Sequence, residues 1–529
     1  MKLKFILIGL VSSAAAISSL SCTKSETKGP EKPNVVFFLV DDMGWTDLGC
    51  YGSSFYETPN IDNFAKEGVK FTNAYAACHV CSPTRASIMT GKYPATLDLT
   101  DWIPGRKDFD FQRLLNAEHE LGLPTQEETI AEALKKEGYS TAIFGKWHLG
   151  GPETGPLEQG FDVAVPQNWY ACCPNRTYHS PYGLDGVEDE EGGYLTDKLT
   201  DGALRFIDQN KDNPFFLYFS HFAVHDPIQG RKDLVEKYEG KLENVAIIEG
   251  PPYILEGNPD DENPPTRQDL SAFLDDPEYA GHSVLPNNTV KIKQWQDNTE
   301  FAGMVESVDE SMGRVLAKLE ELGLEDNTII IFFSDNGGMA AGNWGNPERV
   351  VPDSLVDVAY ATSNLPLRGA KGWLYEGGIR EPLIIKWPGQ GMKGTESDVP
   401  VISTDFFPTI LDMLGLPIPT ENKLDGVSIA NLVKGQTELD REAIYWHFPH
   451  YSNHGMQSPG GAIRSGDYKL LEYFENGSVQ LFNLKDDIGE QNDLAASEPE
   501  KVRELKAMLQ KWREDIGANM MPPNPNYKL

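Results

Sequence analysis

Apolar runs alternate with amphipathic stretches along most of this chain, and each run ends in a polar cluster. Asn34–Val40 is apolar from Val35 onward, as a strand buried on both faces would be, and it ends in Asp41-Asp42-Met43-Gly44. Ser140–Phe144 ends in Gly145-Lys146-Trp147-His148, and Phe215–Phe219 in Ser220-His221-Phe222-Ala223-Val224-His225. Thr328–Phe333 ends in Ser334-Asp335-Asn336-Gly337-Gly338, and Pro382–Trp387 is a fifth run. Helices are predicted between them: a short one from Thr58-Pro59-Asn60 through Ala65, then Glu127–Lys136, Tyr194–Gln209, Asp297–Leu322 and Asp405–Leu414. The long fourth helix carries an apolar stripe of Phe301, Met304, Val305, Val308, Met312, Val315, Leu316 and Leu319. The alternation predicts an α/β fold, a large, mostly parallel sheet sandwiched by helices. Such sheets bind ligands at the carboxyl ends of their strands, so the polar clusters after four strands should converge at one edge.

Two regions depart from this rhythm. Residues 231–294 are rich in Pro, Asp and Glu and read as an insertion or surface excursion. Beyond about Glu438, short strands are predicted at Ala443–His447, Gly461–Ile463, Tyr468–Tyr473 and Val479–Asn483, followed by a helix over Pro499–Trp512. The expected division is therefore a catalytic domain over 33–437 and a C-terminal subdomain over 438–529, an antiparallel sheet plus helix.

Residues 1–21 read as an export signal, with Lys2 and Lys4, an apolar Phe5–Leu10 and small residues to Cys22. The apolar run is too short and too Ser-rich to span a membrane. Ser19-Leu20-Ser21-Cys22 resembles a bacterial lipobox with Leu one position late; lipid modification of Cys22 and ordinary signal cleavage both fit. Residues 22–32 form a polar tether. Contact with a membrane is expected only through that anchor, and the location is the periplasm or the outer membrane as a lipoprotein.

The chain has 529 residues, 40% hydrophobic and 24% charged, an ordinary globular composition with room for about two to four domains. Its net charge of −34 argues against a nucleic-acid partner, which requires a basic face. A strongly anionic substrate fits only if cations gather in one pocket and a metal neutralises the local carboxylates. Six cysteines occur; apart from Cys22 and Cys81, the adjacent Cys172 and Cys173 are not expected to pair with each other, and pairing with Cys50 or Cys78 stays open. Cys78 and Cys81 lack a second pair at zinc-finger spacing.

Candidate chemistry centres on Cys81-Ser82-Pro83-Thr84-Arg85. Ser82 suits a helix N-cap and Pro83 a first helical position, which places Cys81 just before unpaired backbone N–H groups and the positive end of a helix dipole. Arg85, a turn later, offers planar donors for sulfate or phosphate oxygens. Taken alone, a cysteine beside a proline is more often packing or half a disulfide. Asp41, Asp42, Asp335 and Asn336 give four oxygen donors without His or Cys among them, a set for a hard cation, Ca²⁺ first and Mg²⁺ second. An Asp-Asp pair alone is more often a turn or cap. Lys146 and His148 fall on one side of an extended segment with Trp147 opposite. His225, and Lys371 before Glu376-Gly377-Gly378-Ile379-Arg380, complete the set, although a single Lys or His is usually structural.

The Cys81–Arg85 pattern, with Ala86, Thr90 and Gly91, resembles the signature of the type I sulfatases of the alkaline phosphatase superfamily. Gly145-Lys146-Trp147-His148, the His225-Asp226-Pro227 loop and the Lys371–Arg380 segment are similar to further motifs of that family. Leu481–Leu484 with Glu490 and Asp493-Leu494 resembles its closing strand region. The resemblance implies an alkaline phosphatase-like fold and a Cys81 converted by a maturating enzyme to formylglycine. It implies metal ligation by Asp41, Asp42, the modified Cys81, Asp335 and Asn336. In that scheme one hydroxyl of the hydrated aldehyde attacks sulfur while Lys146, Arg85 and the cation hold the sulfate oxygens. His225 and Lys371 face the leaving oxygen, and His148 takes a proton from the remaining hydroxyl so that sulfate departs. The overall pattern is similar to exo-acting bacterial carbohydrate sulfatases, with a sulfated galactose or N-acetylgalactosamine unit expected. Residues 167–182, with Trp169, Tyr170, Arg176, Tyr178 and His179, and residues 342–368, with Asn343, Trp344 and Asn364, are candidate substrate rims. A phosphonate monoester or phosphodiester hydrolase of the same superfamily, and a non-catalytic glycan-binding lipoprotein, are the competing readings.

Overall fold

The computed structural model describes Met1 and residues 32–244, 250–260, 284–285, 289–342, 360–419 and 423–527. The expected leader, Cys22, most of the tether, Asn343 and Trp344 lie outside the described residues.

The main sheet is built from β1 (Asn34–Val40), β2 (Val69–Tyr75), β3 (Ser140–Gly145), β4 (Val163–Val165), β5 (Phe215–Ser220), β9 (Thr328–Ser334), β10 (Arg380–Lys386), β11 (Thr395–Ser397) and β12 (Val401–Ile402). Their order is β11-β2-β10-β9-β1-β5-β3-β4, with β12 also beside β2. Every pairing is parallel except the two made by β10, which runs antiparallel to β2 and β9. The mostly parallel sheet expected from the apolar runs is thus present. The direction of β10 was not legible, because an apolar run carries no direction.

β1 lies at the centre and shows why those runs are apolar. Val36, Phe38 and Val40 face one core, Val35, Phe37 and Leu39 the other, and none is exposed. The first core is closed by α1 (Pro59–Glu67), α4 (Leu195–Gln209) and α6 (Thr299–Glu321). The second is closed by α2 (Cys81–Thr90), α3 (Ile130–Lys136) and α7 (Phe406–Met413). α3 starts three residues later than expected because Thr129 caps it: Glu132 N donates to the Thr129 hydroxyl and Thr129 N donates back to the Glu132 carboxylate. β2 was not anticipated; Lys70, Thr72 and Asn73 break its apolar run because one of its faces is only half buried.

Within the excursion over 231–294, the described residues carry regular structure. They include α5 (Lys232–Leu242) and a small antiparallel sheet of β6 (Tyr253–Gly257), β7 (Val284–Leu285) and β8 (Thr289–Lys293). Near the C-terminus, β13 (Ile444–Phe448), β14 (Gly460–Ser465), β15 (Tyr468–Tyr473) and β16 (Val479–Asn483) form a separate antiparallel sheet. One face of it packs on α8 (Pro499–Ile516) through Leu505 and Leu509. The other packs on Tyr75, Trp373 and Tyr375 of the main domain.

Candidate active site

β1, β3, β5 and β9 are mutually parallel, so their carboxyl ends share one edge, and β2 ends there too. β10 runs the other way, which brings the segment before it, Lys371–Ile379, to the same edge. This topology collects all the polar clusters predicted from the strand ends.

Local backbone geometry aims them. Asp42 (φ 60°) and His148 (φ 55°) occupy the left-handed region, rare for residues with a Cβ and common at functional turns. Between them, Gly145 has φ 109°, and a Cβ there would lie 1.8 Å from the Ser220 carbonyl oxygen, so only glycine lets β3 and β5 end together. Trp147 is buried in the second core, while Lys146 and His148 face the site, as the alternation predicted.

Cys81 is the first residue of α2 rather than the residue before it. Val80 precedes it in an extended conformation, and the Ser82 hydroxyl accepts from Ile103 N instead of capping the helix. Cys81 Sγ lies 3.2 Å from His148 Nδ1. His148 Nε2 is 2.7 Å from the Ile103 carbonyl oxygen, so Nε2 must carry the proton and Nδ1 presents a lone pair to position 81. Burial, reinforced by Lys146, pushes this imidazole down to about 3 and keeps it neutral.

The acidic residues form one cluster. Asn336 Nδ2 donates to Asp42 Oδ1 (2.7 Å), and Asp42 N donates to Asp335 Oδ1 (3.2 Å). Lys146 Nζ is 2.6 Å from Asp41 Oδ2, and Lys371 Nζ is 2.7 Å from each Asp42 oxygen. Arg85 Nε donates to Asp335 Oδ2 (2.8 Å), while its Nη1 binds the Ser220 hydroxyl (2.6 Å) and the Lys146 carbonyl (3.0 Å). The guanidinium is fully buried, and its remaining nitrogen, Nη2, is 3.7 Å from Asp41 without a hydrogen bond. Arg85 therefore stands behind the carboxylates, holding Asp335. His225 Nε2 is 3.5 Å from Asp42, and Asp41, Asp42 and His225 offer ligand atoms within 4.8 Å of one another.

Burial drives the Asp41 carboxyl well above the usual carboxylate range, and the Asp335 charge adds to that. For Asp42, burial also pulls upward, but His225 and Lys371 outweigh it and hold the carboxyl low. Burial disfavours the charge on His225, yet Asp42 raises it to about 10, so it carries a proton at neutral pH. Asp41 Oδ1 and Asn336 Oδ1 are buried without a hydrogen-bond partner. Orphaned oxygens facing three clustered carboxylates fit a hard divalent cation, whose charge would replace that of the inward-turned lysines.

A cavity of about 140 Å³ opens over this cluster, lined by Cys81, His148, His225 and Lys371. Trp102, Asn453, His454, Cys172 and Cys173 complete the lining. Trp102, Asn453 and His454 had no signal in the sequence: they belong to distant loops that only the fold brings here. The Gly372 φ of 87° and the 2.0 Å that would separate its Cβ from the His454 carbonyl oxygen show how tightly the C-terminal unit is seated on the Lys371 segment. Of the expected rim, Tyr178 is buried, and its hydroxyl donates to the Phe222 and His225 carbonyls, supporting the His225 loop. Asn364 is also buried; its side-chain amide donates to the carbonyls of Gly338, Gly369 and Gly377. Cys50, Cys78, Cys81, Cys172 and Cys173 are all unpaired.

Comparisons with known proteins agree with this geometry. Residues 33–416 match the family model described as Sulfatase, and residues 370–516 match N-sulphoglucosamine sulphohydrolase, C-terminal. The N-acetylgalactosamine-6-sulfatase of Homo sapiens is 30% identical over 441 residues, 79% of this chain and 69% of that protein. The N-acetylglucosamine-6-O-sulfatase of Bacteroides thetaiotaomicron is 27% identical over 562 residues, 96% of this chain and 90% of that protein. The crystal structure of Ps i-CgsB in complex with k-i-k-neocarrahexaose superposes with a TM-score of 0.66 at 27% identity, covering 91% of this chain and 93% of that one.

Proposed function

The chain belongs to the sulfatase family and hydrolyses sulfate esters on glycans; from that premise we propose that it is an exo-acting enzyme for a sulfated galactose or N-acetylgalactosamine unit, working through formylglycine at position 81 and a Ca²⁺ ion. The observation that carries this reading is the convergence of Cys81, His148, His225 and Lys371 on one cavity above the Asp41/Asp42/Asp335/Asn336 cluster. The human relative supports the sugar, and the small cavity suits a terminal unit.

The carboxylates of Asp41, Asp42 and Asp335, the amide oxygen of Asn336 and the modified residue 81 would hold the cation, which supplies positive charge to the sulfate oxygens. A hydrated aldehyde at 81 would supply the attacking hydroxyl and a second one that can lose its proton. The remaining tasks fall to the chain's own side chains. Once a cation neutralises Asp41 and Asp42, the ammonium groups of Lys146 and Lys371 are free to turn to substrate oxygens. Arg85 keeps Asp335 in place. With Asp42 taken up by the cation, Asp226, 2.7 Å from Nδ1, is the carboxylate that keeps His225 protonated, and His225 delivers its proton to the departing sugar oxygen. Neutral His148, with its Nδ1 lone pair on position 81, accepts the proton of the second hydroxyl. A lipid anchor at Cys22 and a periplasmic or outer-membrane location complete the proposal.

The test is sulfate release by protein produced with a maturating enzyme, measured on galactose and N-acetylgalactosamine sulfates beside glucosamine sulfates. Preference for the first pair is expected. Turnover confined to glucosamine sulfates would overturn the sugar assignment, and turnover of aryl phosphonates alone would overturn the sulfate ester.

A further inference from the structure

Cys173, His225 and Asp226 place a thiol, an imidazole nitrogen and a carboxylate oxygen within 4.8 Å of one another, and the first two line the cavity. His225 stands between two sites. Its Nε2 faces Asp42 and the reaction centre, while its Nδ1 is 2.7 Å from Asp226 Oδ1 and 2.9 Å from the Asp226 carbonyl oxygen. Asp226 Oδ1 is buried and makes no hydrogen bond in that position. Cys173 is unpaired and partly exposed, and the neighbouring Cys172 thiol lines the same cavity.

A sulfur, nitrogen and oxygen donor set suits a borderline-soft ion, not the hard cation that an all-oxygen cluster selects. Zinc bonds of about 2.3 Å to sulfur and about 2.0–2.2 Å to nitrogen and oxygen set the donors of a tetrahedral site roughly 3.3–3.6 Å apart, so the 2.7 Å His225–Asp226 pair would open and the sulfur would move in. We propose that Cys173, His225 and Asp226 form a second, zinc-type site whose occupation switches the enzyme off. Binding would displace the thiol proton of Cys173 and the ring proton at His225 Nδ1 to solvent, with the zinc taking up the two lone pairs. Ligation through Nδ1 fixes the ring on the zinc while Nε2 still faces Asp42, so the imidazole cannot turn to follow the leaving oxygen. The inhibition rests on the role of His225 proposed above, whereas the binding stands without it.

The experiment uses full-length, calcium-loaded protein titrated with Co²⁺ alone and then with Zn²⁺. One equivalent of cobalt should give a sulfur-to-cobalt charge-transfer band that zinc abolishes. Cys173→Ser should remove the band, and Asp226→Asn should weaken cobalt binding by at least the roughly 10–100-fold typical of disturbing a metal's ligand shell. Thermal melts confirm that both variants are folded. Zinc should inhibit sulfate release from the unsubstituted protein and spare Cys173→Ser, each compared with its own zinc-free rate. Absence of the band, or its survival in Cys173→Ser, overturns the site. A band without inhibition overturns the switch while confirming the site, and because it is read optically it is independent of whether the sulfatase assignment is correct.

Discussion

At the residue scale, the two histidines of the cavity have opposite protonation for identifiable reasons. His148 is buried next to Lys146 and donates its one proton to the Ile103 carbonyl, whereas His225 stands between Asp42 and Asp226 and is held protonated. They cannot exchange roles, and their losses should look different. His225→Ala should slow hydrolysis of a sugar sulfate by roughly 10²–10⁴-fold, the usual contribution of a general acid. It should slow an aryl sulfate far less, because a phenolate leaves without help; equal losses on both substrates would remove His225 from the acid role. His148→Ala should release one equivalent of alcohol per active site and then stall, a burst seen by rapid quench. A slow linear release with no burst would place His148 in the first step instead. Cys81, Lys146, His148, His225 and Lys371 were legible because each sits in a compact motif at a strand or helix end. The ion pairs Lys146–Asp41 and Lys371–Asp42 were not, since sequence spacing cannot tell which cation faces which carboxylate.

At the scale of elements, the strand ends were readable because a run buried on both faces must be apolar until it reaches the edge. The half-buried β2 and the reversed β10 were not. The junction between the C-terminal sheet and the Lys371 segment was equally hidden. There, Lys469 of β15 lies 2.9 Å from both Glu376 and Glu490, and Arg380 is 2.6 Å from Glu376, all of them buried. Burial, followed by repulsion from Glu376, raises Glu490 to about 7 against the pull of Lys469. Lys469→Met should cost about 3–5 kcal/mol of unfolding free energy at pH 8, the usual effect of breaking a buried pair. A carboxyl raised in the folded state takes up a proton on folding between the unfolded value of about 4.3 and about 7, so stability falls as pH rises through that window. The cost of Lys469→Met should therefore be smaller at pH 5 than at pH 8 in denaturant titrations. A cost that is the same at both values would show that Glu490 does not titrate there.

At the scale of the molecule, a chain of net charge −34 holds Lys146, Lys371 and Arg85 inward, on carboxylates at one sheet edge. A divalent cation at that edge would bind the folded chain alone. Chelation should abolish sulfate release and lower the melting temperature. Calcium at about 100 times its dissociation constant should restore about 2.7 kcal/mol of stability. A melting temperature unmoved by chelator and calcium would exclude a resident ion. The separate C-terminal antiparallel sheet was readable from the change in texture near residue 438. That the C-terminal unit also supplies Asn453 and His454 to the cavity was not, because loop residues carry no periodic signal.

The central claim is that position 81, beside the His148 lone pair, carries the reacting group. The direct measurement pairs the mass of the tryptic peptide spanning residue 81 with the sulfate-release rate, across preparations made with and without a maturating enzyme. The rate should rise in proportion to the fraction of Cys81 converted and be near zero for unconverted protein and for Cys81→Ala. Full turnover by protein whose peptide mass retains the thiol would contradict it.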